Sequence, residues 1–161
     1  MNANRLITTL TLIMLSLLHY GCNTDQQEGQ ANLEDAKKAI AESNDIYFQA
    51  FVKGDSSIFI DRYAEDCCIM APGAPALCGS EAAVTFYRIA YNEIGLRNGK
   101  FITKQVYGDG KNFVVEEGLW QSFDADNVMT DNGKFLVLWK KTSKGWKMFR
   151  DSFSSDHEPQ P

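Results

Sequence analysis

Along the first half of the chain, apolar residues recur at the spacing of one face of a helix. The stripe consists of residues three, four or seven positions apart: Leu33, Ala36, Ile40, Tyr47 and Phe51. Asn32 is suited to cap the start of this helix, and Gly54 can take the left-handed conformation that ends it. Asp55 then caps a short second helix that ends at Tyr63. The pattern therefore predicts two consecutive helices separated by a Gly-Asp break.

A third helix is predicted between these elements and the second half of the chain. It covers residues 80–94, and Gly95 follows its last turn. Before it, residues 67–71 are predicted as a short strand and residues 76–78 as its brief partner. The stretch 72–75 reads Pro-Gly-Ala-Pro, which is typical of a turn between two strands.

From residue 101 the period of the apolar positions changes to two, which predicts β-strands. Four strands follow from this alternation and from the turn residues between them: 101–107, 113–123, 135–141 and 146–153. The polar stretch 124–133 is predicted as a loop, and Gly118 as the place of a bend or bulge. Helices followed by an antiparallel meander indicate an α+β domain, with three N-terminal helices packed on a strongly curved, mainly antiparallel sheet.

The N-terminal segment is predicted to lie outside this domain. Residues 1–21 carry a basic residue followed by an apolar run that is shorter than the about 20 residues of a membrane span, as in an export signal. The polar stretch 22–32 is predicted as a flexible tether. The domain itself is assigned to residues 33–155, and residues 156–161 form a polar tail.

The end of the export signal resembles that of bacterial lipoproteins, because Cys22 follows a small residue, Gly21, and precedes a polar stretch. The resemblance implies lipidation of Cys22 and attachment to a membrane on the periplasmic side of the bacterial cell envelope. Asn23 is not the Asp that marks retention at the inner membrane in some bacteria, which favours the outer membrane. His19 stands where the pattern has an aliphatic residue, so an ordinary secretory signal stays the alternative.

Charge and histidine content exclude several classes of function. The formal net charge is −5 and no basic run exceeds two residues, which argues against nucleic acid as a partner. The two histidines, His19 and His157, lie in the signal and the tail, so the domain has no Ser-His-Asp or Cys-His catalysis and no histidine metal site. The acidic residues of the predicted loop lack the spacing of a calcium loop: Asp124, Asp126 and Asp131. No metal and no cofactor is expected.

The remaining cysteines allow one disulfide. Cys67 and Cys68 point to opposite faces of their predicted strand, so at most one of them suits Cys78 across the intervening turn. Such a bond can persist outside the cytoplasm. Small buried thiols are the favoured interpretation, and the partner of Cys78 stays open.

Short motifs spread over the domain carry a resemblance to a known family. In chain order they are Phe48–Phe51 before Gly54-Asp55, Tyr63–Asp66, Gly79–Ala82, Gly118–Trp120, Trp139–Lys141 and Gly145–Asp151. The chain resembles the nuclear transport factor 2-like superfamily, in its SnoaL-like and domain-of-unknown-function branch, over roughly residues 33–155. The resemblance implies a cone-shaped fold with an incompletely filled interior. It implies no particular activity, because this fold carries many unrelated functions.

Ketosteroid isomerases have this fold, so their mechanism can be compared with the chain position by position. The reaction needs a carboxylate base and an oxyanion hole made of a Tyr and a protonated Asp. The corresponding positions hold Tyr47 for the oxyanion tyrosine, Ala71 for the base and about Val137 for the aspartic acid. Without the base this activity is rejected. Tyr47 is interpreted as a packed aromatic residue with its hydroxyl at the pocket.

Two carboxylates remain as weak catalytic candidates beside Tyr47. Glu116 and Glu117 point to opposite faces of their strand, so one of them should face the interior or an interface. A buried carboxylate needs a partner or has a raised pKa, so Glu117 and Asp151 are candidates for an acid-base group. A structural ion pair, with Arg150 as the partner, or a dimer contact is the favoured alternative.

The expected ligand pocket follows from strand parity and the resemblance. Parity places Met148 and Arg150 on the face of the last strand that should line the cone, and a bulge would put Asp151 inside instead. The residues expected to line the pocket are mainly aromatic: Tyr47, Phe51, Tyr63, Phe86, Trp120, Val137, Trp139, Met148 and Arg150.

Three functions compete. The favoured one is a lipid-anchored, non-catalytic domain that holds a small, largely apolar molecule, because no complete acid-base set can be assembled. The second is a SnoaL-like isomerase, cyclase or hydratase that uses an inward Glu117 or Asp151 with Tyr47. The third is an assembly module that forms a homodimer through the outer face of its sheet.

Overall fold

A computed structural model of the protein describes residues 28–157. Its helices precede most of its strands along the chain. The helical segments are α1 (28–47), α2 (Gln49–Lys53), α3 (Ser56–Ile60), α4 (Ala82–Arg88) and a π-helical segment, Ile89–Ile94. Within the described part of the chain, no helix has the length and apolar character needed to cross a bilayer.

Within residues 28–157, six strands form one curved sheet in the order β2-β1-β6-β5-β4-β3. They are β1 (Tyr63–Met70), β2 (Leu77–Cys78), β3 (Asn98–Gly108), β4 (Phe113–Phe123), β5 (Met129–Thr142) and β6 (Gly145–Ser155). Neighbouring strands are antiparallel except β1 and β6, which pair in parallel. The α+β class predicted from the sequence is confirmed, with the helix-rich N-terminal part lying over the sheet.

The helix ends follow the predicted chemistry. Gly54 ends α2 in the left-handed conformation, with φ of 67°, and the side chain of Asp55 accepts a hydrogen bond from the Ser57 N–H at 3.0 Å. Gly95 ends the π-helical segment in the same left-handed region. The end of the second helix differs from the prediction: α3 ends at Ile60, and Tyr63 begins β1, because the chain pairs there with β6 instead of continuing the helix.

The start of α1 also differs from the prediction. Residues 28–32 are helical, although a flexible tether was predicted for residues 22–32. The β3–β4 turn packs against this part of the helix, since a Cβ atom added at Gly110 would lie 2.4 Å from the carbonyl carbon of Asn32. Contact with the turn therefore orders residues whose sequence alone gave no signal. The predicted signal, Cys22 and the last residues of the tail lie outside the described part of the chain.

Three strands of the predicted meander, β3, β5 and β6, are longer than predicted. β5 begins at Met129, inside the stretch 124–133 that was predicted as a loop. The loop closes early because the side chain of Asp124 accepts the N–H groups of Asp126 and Val128, at 3.0 and 2.9 Å. The predicted bulge lies opposite Gly118, on β3, where the register shifts between Thr103 and Gln105.

The helices bury an aromatic core against the concave face of the sheet. Phe51 and Phe59 are fully buried, and their ring centroids lie 5.5 Å apart. The ring of Tyr87 stacks on Phe51 at 5.0 Å, and its hydroxyl donates to the carbonyl of Ala50 at 3.1 Å. This core fixes α2, α3 and α4 against one another and holds Tyr47 at the sheet end of α1.

A disulfide joins Cys68 of β1 to Cys78 of β2, and Cys67 is a buried free thiol. Cys68 and Cys78 are directly opposite each other in the antiparallel pair, whereas Cys67 points to the other face. The favoured interpretation of free thiols is therefore wrong for Cys68 and Cys78. The short strand β2, which the sequence predicted only roughly, is what brings the two sulfur atoms together.

Candidate functional site

A bulge in β6 decides which residues of the last strand face the interior. The pairing of β5 with β6 skips Phe149, so Met148 and Asp151 both point inward, with 1% and 7% exposure. Arg150 lies on the outer side, and its guanidinium carbon is 3.6 Å from the centroid of the Phe149 ring. The prediction that Arg150 lines the pocket is therefore wrong, and Asp151 takes the inward place that a bulge was expected to give it.

Asp151 is the end of a chain of three buried hydroxyl and carboxyl groups. Tyr63 donates its hydroxyl proton to Oδ2 of Asp151 at 2.6 Å, and the hydroxyl oxygens of Tyr63 and Tyr47 lie 3.3 Å apart. Because the proton of Tyr63 is already committed, Tyr47 is the donor to Tyr63. Among the residues that the structure describes, the other carboxylate oxygen of Asp151 has no hydrogen-bond partner.

Burial controls the protonation of this chain. Desolvation raises the pKa of Asp151 to about 6; the hydrogen bond from Tyr63 opposes the shift, and the negative charge of Glu116 adds to it. Burial and the nearby Asp151 also raise the pKa values of Tyr47 and Tyr63 well above the usual value for a phenol. Both tyrosines therefore remain neutral donors, while Asp151 changes its charge close to neutral pH.

Glu116 is the second buried carboxylate, and unlike Asp151 it accepts hydrogen bonds at both of its oxygens. Oε1 accepts from Asn44 at 2.7 Å and from Thr103 at 2.6 Å, and Oε2 accepts from the indole of Trp139 at 3.0 Å. Burial raises the pKa of Glu116, and these three hydrogen bonds oppose the shift. Glu116 thus joins α1, β3, β4 and β5, and neither of its oxygens is left for a ligand.

Glu117 lies on the opposite face of β4 from Glu116, as strand alternation requires. Its carboxylate accepts a hydrogen bond from the exposed Tyr107 hydroxyl at 3.2 Å. The prediction of an inward Glu117 is therefore wrong. Parity along the strand showed that one of the two glutamates faces inward, but it could not show which one.

A cavity of about 70 Å³ lies beside Asp151. Its lining combines one carboxylate and one serine with apolar and aromatic side chains: Tyr47, Phe48, Phe86, Leu96, Phe101, Trp120, Ser122, Phe135, Asp151 and Phe153. Pockets for drug-sized ligands typically have volumes of about 300–1,000 Å³. The aromatic core therefore fills most of the cone, and the remaining space suits a small molecule or the end group of a larger one.

Apart from Arg150, which lies outside, the structure places the predicted pocket residues in three groups. Those that line the cavity are Tyr47, Phe86 and Trp120. Those buried in the core behind it are Phe51, Val137, Trp139 and Met148. Tyr63 reaches the cavity only through its bond to Asp151. Lining residues absent from the predicted set are Phe48, Leu96, Phe101, Ser122, Phe135 and Phe153. The alternation of side chains along the strands could have predicted that Phe101, Phe135 and Phe153 face the cavity. Leu96 follows the π-helical segment, and no sequence pattern indicates its position.

A larger groove, of about 740 Å³, lies on the surface between α3, β1 and the β5–β6 hairpin. Most of its charged residues pair with each other, as in the contacts of Lys147 with Asp61 at 3.1 Å and of Lys140 with Asp66 at 2.7 Å. We therefore place the candidate site in the small cavity, where a buried carboxylate has an unused oxygen. Within residues 28–157, no group of three or more His, Cys, Asp or Glu side chains is arranged to hold a metal ion.

The helices, the curved sheet and the aromatic interior together define a nuclear transport factor 2-like fold. No family model and no curated protein matches the chain. Among solved structures, an NTF2-like protein of unknown function from Shewanella oneidensis MR-1 is 18% identical, with a TM-score of 0.62 over 73% of this chain and 98% of that chain. A ketosteroid isomerase-like protein from Erwinia carotovora atroseptica SCRI1043 is 21% identical, with a TM-score of 0.61 over 78% of this chain and 97% of that chain.

A third similar structure is a nuclear transport factor 2 (NTF2-like) superfamily protein from Salmonella enterica serovar Typhimurium LT2. It is 17% identical, with a TM-score of 0.59 over 79% of this chain and 95% of that chain. At these identities the likeness establishes the fold alone. In that respect the resemblance predicted from the sequence is confirmed.

We expect Asp151→Asn to change how stability depends on pH. Because the pKa of Asp151 rises from 3.8 to about 6 on folding, the folded state between these values holds a proton that the unfolded state has lost. The free energy of unfolding of the wild type therefore falls as pH rises through this window, by about 3 kcal/mol, and stays lower above it. The amide variant should gain stability relative to the wild type between pH 4 and 6, as measured by urea unfolding.

The matched control for this comparison is Glu117→Gln, the same chemical change on the outer face of the sheet. Its stability profile should follow that of the wild type through the same range of pH. A constant difference between Asp151→Asn and the wild type across the window would contradict the raised pKa of Asp151.

Proposed function

We propose that the chain is a lipid-anchored domain that binds a small, largely apolar molecule in the cavity beside Asp151. The observation that supports binding is a carboxylate with one unused oxygen in an otherwise aromatic cavity. Ligand sites commonly combine apolar walls with a few fixed polar groups. Here Tyr63 and Tyr47 fix the carboxylate, so its position is set before any ligand arrives.

The ligand-binding proposal predicts that a larger side chain at the edge of the cavity will exclude the ligand. Leu96 lines the cavity and is only partly buried, so Leu96→Trp can fill the space with limited damage to the core. We expect native mass spectrometry of the purified wild type to show a co-purified small molecule, and Leu96→Trp to lose it. Leu136→Trp makes the same substitution on the outer face, where Leu136 is 49% exposed, and should keep the ligand.

Two results would argue against this proposal. One is the absence of any small-molecule adduct on the wild type, and the other is equal retention of an adduct by Leu96→Trp and Leu136→Trp. The same spectra report the mass of the assembly. They therefore test the homodimer that we propose for the outer face of the sheet, where Leu119 and Leu136 are exposed.

The lipid anchor is proposed on the sequence around Cys22, and the disulfide of the folded domain supports export. A Cys68–Cys78 bond persists in oxidising compartments and is rare in the cytosol. We expect the wild-type chain to fractionate with bacterial membranes and Cys22→Ser to appear in the soluble periplasmic fraction. A wild-type chain found in the soluble fraction, or a membrane-bound Cys22→Ser, would contradict lipidation at this residue.

Acid-base catalysis is the second candidate function, and the raised pKa of Asp151 favours it. A pKa of about 6 lies near the working pH of a general base. One of the similar structures is described as ketosteroid isomerase-like, but the position of that enzyme's base is Ala71 here. Any proton transfer would therefore use Asp151 as the base, held in place by the hydrogen bonds from Tyr63 and, through it, Tyr47.

If the site moves protons, the bound molecule should exchange carbon-bound hydrogen for deuterium. We expect the wild type in deuterated buffer to label the co-purified molecule, and Asp151→Asn, supplied with a saturating concentration of the same molecule, to leave it unlabelled. Mass spectrometry of the released molecule measures the exchange. Equal labelling by both proteins would exclude Asp151 as the base, and no labelling by the wild type would leave a binding function alone.

A further inference from the structure

Within residues 28–157, the two buried carboxylates Asp151 and Glu116 have no buried positive charge beside them. The charge that acts most directly on Asp151 is that of Glu116, which is also negative. Of the residues that the structure describes, the ten that line the cavity include no Lys or Arg. Buried Lys147 points away from the cavity, because its ammonium group bonds to Asp61. The cavity is therefore a place of uncompensated negative charge.

The remaining walls of the cavity are mainly aromatic. Seven of the ten lining residues are aromatic: Tyr47, Phe48, Phe86, Phe101, Trp120, Phe135 and Phe153. The face of an aromatic ring carries negative electrostatic potential, and clusters of such rings bind ammonium ions. Aliphatic walls would disfavour a ligand of either charge, because they remove it from water and carry no such negative potential.

The free oxygen of Asp151 adds a directional requirement. Tyr63 occupies Oδ2, so the other oxygen can accept one more hydrogen bond. Asp151 is only 7% exposed, so a donor that reaches it enters surroundings where few waters compete. A hydrogen bond between two opposite charges is stronger there than one between neutral groups. A ligand that matches the negative charge, the aromatic walls and the free oxygen of Asp151 carries a positive charge, an N–H donor and a small alkyl group.

We infer that the cavity selects a small alkylammonium ion, whose N–H group donates to Asp151 and whose alkyl part packs against the surrounding rings. This inference rests on the proposed function, in which the cavity binds a ligand. It narrows the ligand from any small apolar molecule to an amine in its protonated form. Carboxylates of similar size are excluded, because their charge would meet Asp151 and Glu116.

The test uses three probes of nearly the same shape that differ in charge: n-butylammonium, 1-butanol and butyrate. Their affinities for the full-length wild type are measured at pH 7.5 by protein NMR titration. We expect the cation to bind at least about tenfold more tightly than the alcohol, a difference that corresponds to one charge-assisted contact. We expect no binding of butyrate.

Variants then show which residue causes the preference for the cation. Asp151→Asn should reduce the preference for the cation over the alcohol by about tenfold or more. Glu117→Gln removes a negative charge on the outer face and should leave the preference unchanged. Leu96→Trp should weaken all probes that bind. A fall in preference in Glu117→Gln equal to that in Asp151→Asn would show a general charge effect and overturn the inference.

The outcomes separate this inference from the proposed function. Equal affinity for the cation and the alcohol, with both lost in Leu96→Trp, would overturn the inference and retain the binding cavity. No binding of any probe at millimolar concentration would also overturn the inference. The native mass spectra would then test independently whether the cavity binds a ligand. Since the charge series is measured on the wild type, the test stands even if Asp151→Asn does not fold.

Discussion

The hydrogen bond from Tyr63 to Asp151 keeps a carboxylate inside an interior built of aromatic rings. An isolated buried carboxylate is costly, and this charge-assisted bond offsets part of that cost. Tyr63 begins β1 and Asp151 lies on β6, so the same bond connects the two strands that pair in parallel. The polar site and the attachment of β1 to the rest of the sheet are therefore supported by one contact.

The comparison of Asp151 with Glu116 shows why only one of them is a candidate for function. Both are buried on the concave face, with Val137 between them in the strand register. Three donors from three elements occupy the oxygens of Glu116, which makes it a fixed part of the core. Asp151 has one donor and borders a cavity. The unused hydrogen-bonding capacity of Asp151, more than its burial or its raised pKa, therefore marks it as the candidate functional group.

Local chemistry in the sequence predicted much of this fold. Gly54 and Asp55 predicted a helix end and a helix start, and alternation predicted β4 to the residue. Long-range pairing was not predictable in the same way, because nothing near Tyr63 indicates that it will pair with β6. The inward position of Asp151 depended on a bulge at Phe149, and a shift of one residue reverses which side chains face the core.

The same limit explains why the site was harder to predict than the fold. The choice between Glu116 and Glu117, and between Arg150 and Asp151, required the register of neighbouring strands, which one sequence does not contain. Once the strand register is known, the positions of Arg150 and Asp151 can be explained in terms of charge. Arg150 could have neutralised the buried charge from the inward face, and the bulge instead places it outside against Phe149. Among the residues described, the fold thus leaves Asp151 without a cation beside it, at a cost in stability that protonation below about pH 6 removes and that the alkylammonium ion we infer would also offset.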